Sequence, residues 1–394
     1  MTEGHVASIK ARLNVGLAVA VAAVAWTAPA HAQPANDSFA NAAAISGSEG
    51  NWKGTNTGAT KETGEPNHAG GTGGASVWLR WTAPRTGRLY LTTKGSTVDT
   101  LLAVYTGATV DTLTEVASND DAPNTNRKTS DLDFAATKDT VYHIAIDGFT
   151  GRGSTILLAW VQGPENDDFA NAQILDGDRG RIVGSTDHAG REPGERGYQV
   201  PSIWYRWQAP RSMSVLLDMR ASRADVYLTV FQGDSLSTLR RVANGDDFYD
   251  GVRYSEAVLS FKAVSGTTYY FQVGSYGANA SLKWGEGSIV RGDSKANRLN
   301  GTPGKDIFVA GGGNDVVRAL GGDDEIVAAG GNDRILAGPG ADWVHAGGGA
   351  DDVRGQAGND LLDVRDRKAG DKVDGGPGRD RCRVDQGDVR RSCP

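Results

Sequence analysis

The chain has 394 residues, too many for one ordinary domain and enough for two to four. Its 48 acidic side chains outnumber 41 basic ones, giving a net charge of -7. That balance argues against the broad basic surface with which a nucleic-acid binder meets phosphates, so no nucleic-acid partner is expected.

The first element is a leader. His5, Lys10 and Arg12 precede an apolar run from Leu13 to about Ala28, and Ala30-His31-Ala32 follows. This is the order of a secretory signal peptide, with cleavage expected after Ala32, so residues 1–32 are assigned to it. An uncleaved anchor is the competing reading, but the run is short for a span of ~20 residues. The mature chain is expected to be secreted or cell-surface, with no membrane span.

The next 250 residues are a tandem duplication. NDSFANA at Asn36 returns as NDDFANA at Asn166, SVWLRWTAPR at Ser76 as SIWYRWQAPR at Ser202, and DTLLAVYTG at Asp99 as DVYLTVFQG at Asp225. VASNDD at Val116 likewise returns as VANGDD at Val242. The copies occupy 36–161 and 166–284. Within each, apolar residues alternate over short runs bounded by Gly, Pro, Asp and Asn, the pattern of half-buried strands in a β-sandwich. Val77, Leu79 and Trp81 share one strand face, as do Ile203, Tyr205 and Trp207. Trp78 and Trp204 alternate onto the opposite face, where an exposed indole could stack on a sugar, although a covering loop is the commoner arrangement. These shared stretches resemble the bacterial pre-peptidase C-terminal (PPC) domain. The resemblance implies a small β-sandwich in an accessory role, of a kind appended to secreted peptidases and related to modules that bind collagen or other polymers; here no peptidase is present for it to accompany.

Polar loops carry Glu65, Pro66 and His68 in the first copy and His188, Glu192 and Pro193 in the second. His-Ala-Gly follows Glu-Pro in one and precedes it in the other, so no shared catalytic geometry is expected. Asp99, Asp120 and Asp121, and Asp225, Asp246 and Asp247, could offer oxygens to a hard cation, but solvated turn aspartates are the stronger reading.

From Gly301 the chain divides without a gap into seven nine-residue blocks, GTPGKDIFV, AGGGNDVVR, ALGGDDEIV, AAGGNDRIL, AGPGADWVH, AGGGADDVR and GQAGNDLLD. Position four is always glycine (Gly304, Gly313, Gly322, Gly331, Gly340, Gly349, Gly358) and position six always aspartate (Asp306, Asp315, Asp324, Asp333, Asp342, Asp351, Asp360). Position eight is always apolar. A weaker block at Gly292 has Asn297 in the aspartate position, and GGPGRDRCR recurs at Gly375. This run resembles the calcium-binding nonapeptide repeat of the RTX family, whose consensus is G-G-x-G-x-D-x-U-x. Position one is usually Ala here, and Leu320, Ala329 and Gln356 depart from glycine at position two.

The pattern has a physical reading. Six residues make a loop whose fourth takes a backbone angle closed to side chains with a Cβ, and three make a strand. Two such units complete a coil, so aspartates eighteen residues apart stack. Asp306, Asp324, Asp342 and Asp360 line one edge, and Asp315, Asp333 and Asp351 the other. Carboxylates and loop carbonyls then form oxygen cages suited to Ca2+, about five by counting gaps, with a sixth if Asn297 serves. Without metal the carboxylates repel and each coil buries little, so disorder is expected. After Asp363 eleven residues break the phase, leaving a site at Asp380 in doubt. The expected roll spans 292–383. Cys382 and Cys393, the only cysteines, are expected to bond and close a cap over 384–394.

The expectation is therefore all-β, with two tandem sandwiches followed by a parallel β-roll, and non-enzymatic, since neither H-E-x-x-H nor G-x-S-x-G occurs. Recognition of a glycan or matrix polymer by the sandwiches is the alternative, which exposed Trp78 and Trp204 would favour. A hydrolase centred on the loops of His68 and His188 is the third reading.

Overall fold

The computed structural model describes residues 32–123, 128–150, 153–223, 225–249, 254–276 and 279–393. Apart from Ala32, the expected leader lies outside them. The protein is nearly all-β, with strands, short 3-10 turns and no α-helix among the described residues.

The first duplicated segment folds into nine strands, β1 (Ala43–Ile45), β2 (Glu49–Thr55), β3 (Val77–Thr82), β4 (Gly87–Thr92), β5 (Thr100–Thr106), β6 (Thr114–Asn119), β7 (Asp131–Ala136), β8 (Val141–Gly148) and β9 (Thr155–Gln162). One sheet has the order β1-β3-β8-β5-β6 and the other β2-β9-β4-β7. Alternation produces the sandwich, because β4 and β9 bury every second residue and expose the rest more fully. Val77, Leu79 and Trp81 enter the core between the sheets, as expected, beside Leu89, Leu102, Ile144 and Trp160. The second segment repeats this arrangement. Gln173–Leu175, Ser202–Gln208, Thr268–Ser275, Val226–Gln232 and Arg240–Gly245 form one sheet, and Gly180–Ser185, Asn279–Glu286, Met213–Asp218 and Val258–Ala263 the other. Ile203, Tyr205 and Trp207 fill its core.

Beyond Ser288 the chain winds into a parallel β-solenoid of about six turns. One six-stranded sheet runs Ile289–Arg291, Ile307–Val309, Glu325–Val327, Trp343–His345, Leu361–Asp363 and Arg381–Arg383. The other runs Arg298–Asn300, Val316–Arg318, Arg334–Leu336, Asp352–Arg354, Lys372–Asp374 and Val389–Arg391. Most neighbours are eighteen residues apart, as in Phe308 opposite Ile326 and Val317 opposite Ile335. The apolar position-eight residues meet in the interior, where Phe308, Val317, Ile326, Ile335, Val344, Val353 and Leu362 are fully buried. Ala310, Ala319, Ala328, Ala337 and Ala346 are buried beside them. Alanine at position one is therefore a packing choice that adds a methyl to a thin core.

The solenoid grows directly from the second sandwich. Leu216, Phe248 and Val258 of the sandwich bury Ile307 of the first coils, with Ile289 packed against them. Arg220 donates to both Glu325 oxygens at 2.5 and 2.9 Å while pairing with Asp218, and Lys305 reaches the same glutamate at 2.6 Å. Between the two sandwiches, Arg88 of β4 meets Asp133, Asp168 at 3.6 Å and Asp167 at 3.8 Å.

Candidate metal centre

The aspartate at position six of each block ends the loop and points back into it. All seven are 0–2 % exposed. Their carboxylates are linked in ladders, because Oδ1 of each accepts the backbone N–H of the equivalent residue one coil earlier. On one edge Asp306 donates to Asp324 at 2.7 Å, Asp324 to Asp342 at 2.8 Å and Asp342 to Asp360 at 3.0 Å. On the other, Asn297 donates to Asp315 and Asp315 to Asp333, both at 2.7 Å, and Asp333 to Asp351 at 2.8 Å.

Both ladders continue through the interruption in the nonapeptide phase. Asp351 donates to Asp371 at 2.8 Å and Asp360 to Asp380 at 2.9 Å, each across twenty residues. The two extra residues stay within the loop, so Val353 still faces Val373, and Leu362 faces Cys382. Asp371 and Asp380 are 1 % and 2 % exposed. Sequence spacing hid Asp371, which lies in no recognisable block.

Each ladder bond uses one carboxylate oxygen. The other, Oδ2, is buried without a hydrogen-bond partner in Asp315, Asp324, Asp333, Asp342, Asp351, Asp360, Asp371 and Asp380. A buried carboxylate oxygen without a donor costs several kcal/mol unless a cation or proton meets it. Burial, reinforced by neighbouring aspartates, accordingly pushes the acids up: Asp324 to about 8, Asp333 and Asp342 to about 7, and Asp351 to about 6. Asp306 differs. Ser288 donates N–H and hydroxyl to its Oδ1, at 2.6 and 2.8 Å, and the Thr302 N–H meets its Oδ2 at 2.5 Å. Protein donors therefore satisfy both its oxygens.

Close stacking explains position four. A Cβ on Gly340 would lie 1.9 Å from the Gly322 carbonyl oxygen and one on Gly358 1.5 Å from that of Gly340, and both glycines hold positive φ. Gly313, Gly322, Gly331 and Gly349 share the positive φ. Gly304 does not, yet its Cβ would meet the Glu286 carbonyl oxygen at 2.0 Å. Position five carries a second ladder that the consensus leaves unspecified. Asn314 accepts from the Asn332 N–H, Asp323 from that of Ala341 and Asn332 from that of Ala350, at 2.8–2.9 Å.

These features match a known repeat. The RTX calcium-binding nonapeptide repeat family, in units of four copies, matches residues 291–326 and 327–362. The C-terminal solenoid carries RTX calcium-binding repeats. No curated protein matches the chain. Among solved structures, the CUB1-EGF-CUB2 domains of human MASP-1/3 are 9 % identical, covering 61 % of this chain and all of that one, with a TM-score of 0.17. An uncharacterized protein from Burkholderia cenocepacia is 11 % identical over 60 % of this chain and 82 % of its own, TM-score 0.18. The CBM32-1 and CBM32-2 domains of Clostridium perfringens ZmpB, solved with GalNAc, are 7 % identical over 59 % and 83 %, TM-score 0.17. Likeness at this level carries no argument. The RTX match ends at Leu362, before Asp371 and Asp380.

The other sequence candidates divide. Cys382 and Cys393 are bonded, tying the last inward position to the tail. Trp78 and Trp204 are both 0 % exposed, covered by Phe39 and Tyr105 in one copy and by Phe169 and Phe231 in the other, so neither indole offers a stacking platform. His68 is buried between Tyr105 Oη at 2.9 Å and Glu65 Oε1 at 2.8 Å, and it lines no described cavity. Glu65 is matched in the second copy by Glu195 rather than Glu192. Glu62 and Glu192 each cap the phenylalanine N–H of their copy, at 2.5 Å, and each donates its own N–H to Glu65 or Glu195 at 2.8 Å. Pro66 and Pro193 sit beside these caps in different registers. His188 lies instead beside β4 of the first sandwich, lining a cleft of about 670 Å3 with Tyr90, Asp131 and Trp160. The structure thus keeps His68 and His188 in unrelated surroundings. Asp99, Asp120 and Asp121, and separately Asp225, Asp246 and Asp247, bring carboxylate oxygens within 4.8 Å of one another. No described helix is long and apolar enough to cross a membrane.

Proposed function

We propose that this is a secreted, non-enzymatic calcium-binding protein. Its solenoid folds around Ca2+ held between stacked loops, beside two accessory sandwiches of PPC-like type. The observation that carries the reading is the row of eight buried Oδ2 atoms without donors, one for each gap between successive coils of an edge from Asn297–Asp315 through Asp360–Asp380. Carboxylates of Asp315, Asp324, Asp333, Asp342, Asp351 and Asp360, with loop carbonyls around them, are the hard oxygen donors that Ca2+ takes at six to eight per ion. Ca2+ bound there supplies the positive charge that lets these acids stay ionised while buried. Asp306 closes the first gap through Ser288 and Thr302, so it positions the first coil, and Gly304 fits that coil against Glu286.

One ion per orphaned oxygen makes eight, where counting gaps among the seven regular blocks makes five. Calorimetric titration of the metal-stripped full chain tests this. A stoichiometry near eight is expected, falling by at least one in Asp342→Asn, whose backbone contacts survive the change. A stoichiometry of zero to two would overturn the reading.

A further inference from the structure

The outward face of the solenoid sheet that begins at Arg298–Asn300 carries a regular array of cations that calcium binding does not use. In the first five three-residue strands the central residue points inward and the two flanking ones outward, so the face has two columns; in the last, Val389–Arg391, all three residues are exposed. Register places Arg298, Val316, Arg334, Asp352, Lys372 and Val389 in one column, and Asn300, Arg318, Leu336, Arg354, Asp374 and Arg391 in the other. Each of the first five strands therefore presents one cation, the cation changes column at each step, and the last strand carries both Arg390 and Arg391. The six in the two columns, Arg298, Arg318, Arg334, Arg354, Lys372 and Arg391, are all exposed. Only Arg354 has an ion-pair partner among the described residues, Asp352 of its own strand. Against two carboxylates, six cations leave this face positive on a chain whose net charge is -7.

The opposite sheet has no such array. Its central carboxylates, Glu325 and Asp363, are taken by Arg220 and Lys305 and by Arg365 and Arg383. Strands lie about 4.8 Å apart and the columns about 7 Å, so the positive stripe is a narrow zigzag running the length of the roll. Alternation keeps cations of one column roughly 10 Å apart, about a Debye length, which spares the sheet the cost of like charges directly opposite. The array suits a single extended chain bearing an acid group on each unit. A duplex is too wide for it, and the face has no aromatic side chain on which unpaired bases could stack.

We infer that this face is a docking surface for an extended carboxylated polysaccharide, a polyuronate, whose acid groups meet successive arginine forks along the solenoid. Arginine supplies five of the six cations, and its planar donors match a carboxylate in pairs. The surface lies on the roll, away from the sandwiches to which the sequence pointed for glycan recognition, and it does not depend on which residues hold calcium.

The test uses the calcium-loaded full chain and a uronate oligomer too short to gel, with dextran, heparin and single-stranded DNA as comparison probes. Wild type is expected to bind the uronate and not dextran. Arg318→Gln with Arg334→Gln should weaken binding about tenfold at unchanged circular dichroism, whereas Arg381→Gln on the opposite sheet should leave it unchanged. Failure of wild type to bind the uronate, equal binding by the double variant, or heparin or DNA binding as tight as uronate would each overturn the proposal. Calcium titration of the same double variant keeps the two readings separate, since its stoichiometry should match wild type whatever becomes of uronate binding.

Discussion

Leu320, Ala329 and Gln356 hold φ of 79°, 74° and 76° at position two of their blocks, a left-handed conformation that disfavours any residue with a Cβ. Gly311, Gly338 and Gly347 occupy the same position with φ between 92° and 117°. Loop carbonyls survive these three substitutions. Their cost is conformational, roughly 1 kcal/mol each. Replacing all three by glycine should raise the melting temperature of the calcium-loaded roll without changing calcium stoichiometry, and thermal unfolding followed by circular dichroism checks it. A lower melting temperature would show that their side-chain contacts outweigh the strain. Position six was legible because its aspartate is invariant through seven blocks. Asp371 was not, because its place is set by strand register, which tolerates two extra loop residues that a nine-residue count does not.

The sandwich strands were legible as elements through alternation, and so was the face shared by Val77, Leu79 and Trp81. What covers the opposite face was not. Trp78 and Trp204 are sealed by residues of the NDxFANA segment and of β5 or its counterpart, a long-range contact that periodicity within one strand cannot reveal. The junction between sandwiches was equally hidden. Asp167 there is 2 % exposed, and burial, with Asp168 and Glu195 nearby, raises it to about 7 despite the Gly190 N–H and Arg88. An acid raised on folding takes up a proton, so its contribution to stability falls as pH rises from about 4 through about 7. Asp167→Asn should therefore match wild type near pH 5 and exceed it in melting temperature at pH 8. An offset independent of pH would remove Asp167 as the titrating group.

At the scale of the whole molecule, order of elements and repeat phase made the all-β architecture readable, but not the seam that joins its parts. Ile307 sits in a regular block, and nothing in that block says that Leu216, Phe248 and Val258 will bury it. Glu325 reads as a variable position until Arg220 is found bridging it to Asp218. Ile307 and Glu325 flank the inward-pointing residues of their strands, so the sandwich holds the outer side of the first coils. The disulfide of Cys382 and Cys393 serves the far end. Arg220→Ala removes two hydrogen bonds to Glu325, a glutamate only 16 % exposed at its side chain, and leaves it to Lys305 alone. A loss of about 2 kcal/mol is expected, concentrated in the roll. Urea unfolding of the calcium-loaded chain should show the roll transition moving to lower denaturant while that of the first sandwich stays in place.

We propose that calcium, meeting buried carboxylate oxygens that no described donor satisfies, holds the solenoid together. Hydrogen exchange of the full chain with and without a calcium chelator tests it most directly. Protection across 292–393 should vanish on chelation and return with calcium, while the strands of both sandwiches stay protected throughout. Protection of the solenoid strands that survives chelation at neutral pH would contradict the account.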